Sequence, residues 1–325
     1  MGMRLPGKAL IVFSLLSFIT ALSDVSARQN SDESDIPRVH TQVRLPNIHP
    51  GRDAIYSYAK QLLFNALTVT EKEYGTFEFI ISEQESPQQR QLRSLEHDML
   101  DVTWSVTSKD REAYFQPIRI PIMAGLYGKR VLLIAGDDTR FSKNIDIDTL
   151  RNFRAALGYD WPDTAIFRHA QIPVLETNYR ASFKMVADGF ADMFPRSVME
   201  VKEEMSNLEL SRGLQLENNL VIAYPSPVFF FVRSDNQPLA KRITDGLLQL
   251  IETGSFQQLL LSQEGYQESL ALMEGRTTIN IDNPLLNEES RMALETFVPR
   301  LTRLKNTPEQ ESPDEQDSKQ TKKEL

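Results

Sequence analysis

Two hydroxyl side chains and an arginine follow directly after a buried apolar segment. The segment covers residues 102–106, and Thr107, Ser108 and Arg111 come after it. A guanidinium binds a carboxylate through two parallel hydrogen bonds, and hydroxyl groups can donate to the same anion. These residues therefore predict an anion-binding site. Trp104 is expected in the core or in the wall of the site rather than as a stacking surface.

Each of these residues also has a purely structural interpretation. Arg111 can cap a helix or pair with Asp110 or Glu112 on the surface. Thr107 and Ser108 can satisfy the backbone of a turn.

A second group of candidates follows later in the chain. Arg196 comes directly after Phe194 and Pro195 at a predicted strand tip, where a buried charge without a partner is costly. It is therefore expected either to reach a ligand or to pair with Glu200 or Glu203. Asp192, just before it, can contact ligand or hold the turn together.

Asp163 and Thr164 precede a predicted helix over residues 165–170. Free amides at a helix start favour an anion. The alternative is that Asp163 and Thr164 cap these amides themselves.

The surrounding pattern predicts an α/β protein that would position both groups. Residues 77–81 alternate as a strand does, residues 90–99 have helical spacing, and residues 102–106 are a further strand. Ligands of open α/β sheets bind beside the carboxyl ends of the strands, where Thr107, Ser108 and Arg111 are expected.

The order of the predicted elements divides the chain into two lobes. Residues 39–136 and 227–304 are expected to form lobe 1, and residues 137–226 lobe 2. Residues 228–232, VFFFV, are too apolar for an edge strand, so they are expected to be buried on both faces and to re-enter lobe 1.

Other elements are predicted from spacing and caps. Asp53 is expected to cap a helix over 55–67. The further predictions are helices over 150–157, 179–187, 198–208, 238–254 and 256–261, and strands over 128–135, 174–177, 191–194 and 220–224.

The two ends of the chain have a different composition from the middle. Residues 1–27 begin with Arg4 and Lys8, continue with 15 uncharged residues from Ala9 to Ser23, and end on a small-residue cleavage pattern. This pattern predicts a cleaved secretion signal and a periplasmic location, with an uncleaved anchor as the alternative. Residues 28–38 are expected to be a flexible leader and residues 305–325 a disordered tail.

Composition argues against several classes of function. Without the signal, the net charge changes from −9 to −10, which disfavours nucleic acid as a partner. The chain has no cysteine, its four histidines lack metal-ligand spacing, and it contains neither a nucleophile elbow nor a phosphate loop. No metal, cofactor or catalytic residue is predicted, and a monomer is expected.

From residue 39 to residue 299, the chain resembles bacterial extracellular solute-binding proteins of family three, the periplasmic amino-acid-binding type. The similarity lies in the segments TWSVTSKDRE, PIRIPI, WPDT, DMFPRSVMEV and YPSPVFFFV, and points to a divergent branch of that family. It implies a two-lobed periplasmic binding protein type II fold. A ligand would be held between the lobes for a membrane transporter or a sensor.

The resemblance also implies roles for two positions. Family members clamp the ligand carboxylate with an arginine after a Ser-x-Thr turn; Ser105 to Thr107 matches that turn, but Arg111 falls one residue late and Asp110 takes the expected place. Arg196 stands where an anion is expected to meet the ligand ammonium. An α-ammonium would be repelled there, so the ligand is expected to carry two anionic ends, or one anion and an apolar body, unless binding has been lost.

The sequence therefore predicts a protein that captures a small anionic or zwitterionic solute for an ABC-type permease. One alternative is a degenerate binding fold that acts as a partner-binding module for a membrane sensor. Another is an enzyme built in the cleft, such as a hydro-lyase.

Overall fold

The computed structural model describes residues 40–48, 55–85, 88–159 and 161–303. The signal (1–27), the leader (28–38), the Asp53 cap and the tail (305–325) lie outside these residues. Among the described residues, no helix combines the length and apolarity needed to cross a membrane.

The elements of this part of the chain alternate between strands and helices. The strands are β1 (Thr41–Asn47), β2 (Phe77–Glu85), β3 (Thr103–Val106), β4 (Phe115–Ile118), β5 (Lys129–Ala135), β6 (Ala155–Gly158), β7 (Val174–Thr177), β8 (Phe194–Ser197), β9 (Leu214–Leu216), β10 (Leu220–Ala223), β11 (Val228–Arg233) and β12 (Thr277–Asn280). The helices are α1 (Tyr56–Val69), α2 (Glu71–Tyr74), α3 (Gln88–Glu96), α4 (Lys109–Tyr114), α5 (Ile147–Leu150), α6 (Pro162–His169), α7 (Tyr179–Ala187), α8 (Val201–Ser206), α9 (Leu208–Ser211), α10 (Gln237–Thr253), α11 (Ser255–Leu261), α12 (Glu264–Met273) and α13 (Glu288–Thr302).

One sheet system combines the strands at the two ends of the described chain. β1 pairs in parallel with β2, and β11 lies between β3 and β4, antiparallel to both. The amides of Asp101 and Val102 donate to the Arg44 carbonyl at 2.9 and 3.4 Å, which brings the start of β3 next to β1. As predicted, residues 228–232 form a buried central strand.

The second sheet system is built from the middle of the chain and from β12 near its end. Its strands follow the order β12, β10, β5, β8, with β9 also paired to β5. β6 and β7 are parallel, and a parallel bridge from Ala155 to Met193 joins them to the start of β8. The chain leaves the first sheet system, builds most of the second and returns through β11, and β12 later adds a last strand to the second. The predicted two-lobed α/β architecture with a discontinuous first lobe is confirmed.

The pairing of β5 bears on the lobe boundaries. The sequence predicts residues 129–135 in the first lobe, but this strand pairs with β8, β9 and β10. We therefore propose that residues 119–128 and 224–227 are two crossing segments, in place of boundaries at 136 and 226. Residues 277–280 were also predicted in the first lobe, but as β12 they pair with β10, so we propose that they belong to the second. The partners of β5 lie 60 or more residues further along the chain, so local pattern gives no information on them.

The two lobes share part of their core. A single buried cluster includes Ile243 and Phe230 from the first lobe and Val131 and Phe194 from the second. At its margin, the Ser269 hydroxyl of α12 donates to the carbonyl of Val198, just after β8, at 3.0 Å. The chain is therefore packed continuously from one sheet system to the other.

Several predicted helices are confirmed with their buried faces. In α1 the apolar stripe is buried as expected, including Ala59, Leu63 and Leu67. α10 buries the face with Ile243 and Leu247 and ends at Gly254, which adopts the left-handed conformation expected of a helix-terminating glycine.

Other predictions of local structure are wrong. Residues 150–157 are not one helix: α5 ends at Leu150, and Ala155–Gly158 is strand β6, buried on both faces. A short apolar run has no periodicity that separates a buried strand from a helix. α6 begins at Pro162 with Trp161 in the N-cap position, so Asp163 and Thr164 lie in its first turn instead of capping it. The elements α2, β4, α4, α9, β9, α12, β12 and α13 were not predicted.

Candidate functional site

Both sheet systems have polar side chains at the carboxyl ends of strands. In the second lobe, β6, β7, β8 and β10 run in one direction and β5 runs against them. The start of β5 therefore lies beside the ends of β8 and β10. In the first lobe, β3 ends at the residues predicted to bind an anion. Carboxyl edges of this kind are where open α/β sheets bind ligands.

The first-lobe candidates lie in the β3–α4 turn, which we define as residues 105–111. Ser108 is the N-cap of α4 and accepts a hydrogen bond from the Arg111 amide at 3.2 Å. The Arg111 guanidinium folds back and donates to the Ser105 hydroxyl and the Val106 carbonyl. Burial lowers the pKa of Arg111 below its ordinary value. The turn thus holds a partly desolvated guanidinium at the end of β3.

The Thr107 side chain makes its hydrogen bond inside the protein instead of at the surface of the turn. Its hydroxyl donates to the Glu112 carboxylate at 2.5 Å. The same carboxylate accepts from Ser290, from Asn287 at 2.6 Å and from Arg119 at 2.6 Å. Burial would raise the pKa of Glu112, but these hydrogen bonds outweigh it and lower the pKa. The side chain of Thr107 therefore helps to anchor α4 to α13.

Trp104 belongs to the core. It is 3% exposed, and its ring packs against Tyr56 and edge-on against Phe230 of β11. This agrees with one of the two roles predicted from the sequence.

The second-lobe candidate Arg196 is paired with carboxylate side chains of the protein itself. Its guanidinium donates from Nε to both Glu204 oxygens at 2.9 Å, and from Nη2 to Glu204 at 2.6 Å and to Glu200 at 2.9 Å. The rings of Trp161, Tyr179 and Phe194 lie 4.9–5.5 Å from its central carbon.

The environment keeps Arg196 charged. Burial would lower its pKa, but the carboxylates of Glu200 and Glu204 outweigh burial and raise it. Of the two partners predicted from the sequence, Glu200 does pair with Arg196, and Glu204 takes the place of Glu203. The inference that Arg196 repels an α-ammonium loses its basis, because two carboxylates compensate this charge.

Asp163 forms a second buried ion pair at the same edge. Its carboxylate accepts from Arg130 Nε at 2.7 Å and from the Tyr224 hydroxyl. Burial alone would raise the pKa of Asp163, but the charge of Arg130 and these hydrogen bonds lower it. The charge of Arg196 acts on Asp163 in the same direction, so the two ion pairs form one electrostatic cluster.

Thr164 and Asp192 have structural roles. The Thr164 hydroxyl donates to the Gly158 carbonyl at 2.9 Å, which ties the start of α6 to the end of β6. The Asp192 carboxylate accepts from the Arg154 amide at 2.7 Å and from Arg140 at 2.9 Å. It holds the turn before β8, as one of the two sequence interpretations expected.

One crossing segment contacts both clusters. The Tyr224 hydroxyl reaches Asp163 in the second lobe, and the Pro227 carbonyl accepts from the Thr107 amide in the first lobe at 3.0 Å. The structure thus brings Thr107, Ser108 and Arg111 together at one end of this segment, and Asp163 and Arg196 at the other.

Sequence reasoning missed Arg130 and Tyr224. Arg130 lies in an otherwise apolar strand, GKRVLLIA, and is 8% exposed. A charge in such a strand requires a partner, so this pattern could have indicated a buried ion pair. Its partner Asp163 is 33 residues away and lies on another element, which the sequence pattern does not reveal.

A surface groove elsewhere involves none of the predicted residues. It lies between α1, α2 and α10, has a volume of about 670 Å³, and is lined in part by Val69, Asp245 and Leu248. Within the described ranges, no group of three or more histidine, aspartate or glutamate side chains is arranged to hold a metal ion.

Comparisons with known proteins give matches among solved structures alone. No family model matches the chain, and no curated protein matches it. A domain named BvgS VFT2 from Bordetella pertussis has 14% identity and a TM-score of 0.48, covering 69% of this chain and 93% of its own. A histidine kinase sensor domain similar to periplasmic binding proteins has 15% identity and a TM-score of 0.46, covering 70% and 96%.

The ligand-binding core of GluR0 from Nostoc punctiforme, solved with L-glutamate, has 17% identity and a TM-score of 0.44. That match covers 70% of this chain and 100% of the other. These scores describe a partial similarity in the path of the backbone.

Proposed function

We propose that this chain is a solute-binding protein that captures a small anionic or zwitterionic molecule between its two lobes. The observation that carries the proposal is the crossing segment 224–227. It joins the Arg111 turn of the first lobe to the Asp163–Arg196 cluster of the second through Thr107 and Tyr224. A solute between the two carboxyl edges would contact both lobes.

Arg111 is the proposed anion-binding group of the first lobe. A guanidinium whose pKa is lowered by burial gains from a nearby anion, because the anion restores part of the lost solvation. The Ser105 hydroxyl and the Val106 carbonyl fix the direction of this guanidinium. Little rotational freedom would therefore be lost on binding.

In the second lobe we propose Trp161 and Tyr179 as contacts for the apolar or amino part of the solute. Both rings flank Arg196, and Tyr179 remains 38% exposed while its hydroxyl donates to Glu204. The cluster of Arg130, Arg196, Asp163, Glu200 and Glu204 has two positive and three negative charges. A zwitterion is therefore acceptable at this edge.

Binding would act through closure of the lobes about residues 119–128 and 224–227. Contacts to both edges would shift an equilibrium between open and closed arrangements. The proposed function includes no chemical step: Asp163, Glu200 and Glu204 each accept hydrogen bonds from an arginine or a tyrosine and serve as structural anions. Following the sequence analysis, the proposed location is the periplasm, and the proposed partner is a membrane permease or sensor.

A specific observation favours a second candidate function. Arg196 pairs through Nε and Nη2 with Glu200 and Glu204 and lies among three aromatic rings, as expected of a lobe that has become structural. The second candidate is therefore a partner-binding module for a membrane signalling protein.

Thermal unfolding of the full chain with a panel of amino acids, dicarboxylates, short peptides and aromatic acids tests the proposal. A compound at 100 times its dissociation constant is expected to add about 2.7 kcal/mol to the free energy of unfolding. A folded protein that no member of the panel stabilises would contradict solute binding and favour the partner-binding module.

A further inference from the structure

Lys129 lies at the carboxyl edge of the second lobe. It is the first residue of β5, stands opposite Ala223 at the end of β10, and accepts a backbone hydrogen bond from Val198 just after β8. It is half-buried, and it directly follows the first crossing segment.

The Lys129 ammonium differs from the other cations at this edge. Arg130 pairs with Asp163, and Arg196 pairs with Glu204. Among the described residues, the Lys129 ammonium contacts neither a carboxylate nor a hydrogen-bond acceptor. Burial lowers its pKa, as expected for a cation that has lost solvent and gained no anion.

The strand register places Lys129 on the Arg196 side of the sheet. Val131 stands directly opposite Arg196, so these two side chains share a face. Lys129 is two residues before Val131 and therefore lies on that face as well. Arg130 lies on the opposite face with the Asp163 pair.

We propose that Lys129 binds a second anionic group of the solute and that the solute carries two carboxylate-like groups, an assignment that rests on the solute-binding function proposed above. Arg111, which lies in the first lobe, binds the first anionic group of the solute. The neighbouring arginines are compensated by Asp163, Glu200 and Glu204. Lys129 therefore supplies the positive charge that this edge can offer to a ligand.

The length of the crossing segment sets the size of the solute. Ala223 lies beside Lys129, and Pro227 accepts from the amide of Thr107 in the Arg111 turn. Four residues span at most about 14 Å when fully extended. An Arg111 guanidinium and a Lys129 ammonium near the two ends of such a span would suit a short molecule with its anionic groups a few carbon atoms apart.

The test is calorimetric titration of the full chain with two matched pairs of probes. Glutarate is compared with butyrate, which lacks one carboxylate, and L-glutamate with L-glutamine, in which an amide replaces one. We expect the wild type to prefer the member with the extra carboxylate by about 10- to 100-fold in at least one pair, the usual range for a hydrogen bond to a charged group.

The variants are K129M, which keeps the aliphatic stem, and K129R, which keeps the charge. K129M is expected to lose the preference, and K129R to retain it. K143M, which removes an exposed lysine, is the control and should behave as the wild type. If circular dichroism shows K129M to be unfolded, K129Q takes its place.

The outcomes separate this assignment from the function on which it rests. Binding by the wild type, with an unchanged preference in folded K129M or K129Q, would overturn the role of Lys129 and leave solute binding intact. A folded wild type that binds none of the four probes would overturn the assignment of two carboxylate groups. If, in addition, no compound of the broader panel used for thermal unfolding stabilises the protein, solute binding would be overturned as well.

Discussion

The Arg196 guanidinium and the Glu204 carboxylate form a buried, multiply hydrogen-bonded ion pair, with Nε 2.9 Å from both carboxylate oxygens. Both side chains are less than 10% exposed. Removing one partner leaves the other buried with most of its compensation lost, since Arg196 would retain only Glu200, whereas removing both leaves neither charge buried.

We therefore expect R196M and E204Q each to lower the free energy of unfolding by about 3–5 kcal/mol. The double variant should lose less than the sum of the two, with a coupling energy of about 0.5–3 kcal/mol. Urea denaturation of the wild type, R196M, E204Q and the double variant gives the four free energies of unfolding that this comparison needs. Additive losses would mean that the two groups do not stabilise each other.

Asp163 should make the stability depend on pH below neutrality. Its pKa is lower in the folded chain, where the nearby Arg130 outweighs burial, than the ordinary value near 3.9 in the unfolded chain. Folding therefore favours the ionised form. Its contribution is present above about pH 4 and is lost as the pH falls through the folded pKa.

D163N removes this titration. The stability difference between wild type and D163N is expected to be large at pH 6–7 and to shrink below about pH 4. Urea denaturation at several pH values measures it. D148N, at an exposed carboxylate, should differ from wild type by about 1 kcal/mol or less at every pH. A D163N difference that stays constant down to pH 2.5 would remove Asp163 from the titrating pair.

Arg111 should affect binding more than folding. R111Q is expected to weaken the best-bound compound of the solute panel by about 2–5 kcal/mol, because a charge-assisted contact is removed. R300Q, at an exposed arginine on α13, is the matched control. Unchanged affinity in R111Q, measured by calorimetry, would exclude Arg111 from the site.

Ser108 separates the fold of this turn from its binding role. S108A removes the side chain that caps α4 and should cost about 1 kcal/mol of stability. Ser108 accepts from the Arg111 backbone amide, and the Arg111 guanidinium keeps its acceptors Ser105 and Val106, so the affinity measured by calorimetry should change little.

Gly246 should tolerate no side chain. A Cβ at this position of α10 would lie 2.1 Å from the Ala66 carbonyl oxygen of α1. G246A is therefore expected to destabilise the chain by about 1–3 kcal/mol, because backbone has to move. At Gly265 of α12 the nearest atom is 3.7 Å away, so G265A should be neutral or slightly stabilising. Thermal unfolding of both variants tests this; equal melting temperatures would contradict it.

The parts of the fold that could be predicted are those with a strong local pattern. Residues 228–232 are apolar at every position and form the central strand β11, and the stripe through Leu63 and Leu67 is the buried face of α1. The four residues Ala155–Gly158 are all small or apolar, so they show neither the alternation of a half-buried strand nor the spacing of an amphipathic helix. Their identity as a strand comes from parallel pairing with β7.

The residue types of the candidate site could be predicted from the sequence, but the partners of those residues could not. The charge of Arg196 indicated that it needed a carboxylate or a ligand. The choice of Glu204 over Glu203 depends on helix α8 starting at Val201. Lys129 carried no signal of its own, since a lysine beside an arginine at a strand start is ordinary in sequence. Its lack of a partner becomes visible when the side chains around it are placed.

The strand order also determines when the chain can fold. β11, the central strand of the first sheet system, comes from residues 228–233, and β12 of the second comes from residues 277–280. Neither sheet can be completed until most of the chain has been synthesised. Pairings between such distant segments slow folding, because the entropy of closing long loops is lost before their contacts form. An unfinished chain therefore lacks a complete sheet in either system, and the native state forms only after the late strands β11 and β12 have been made.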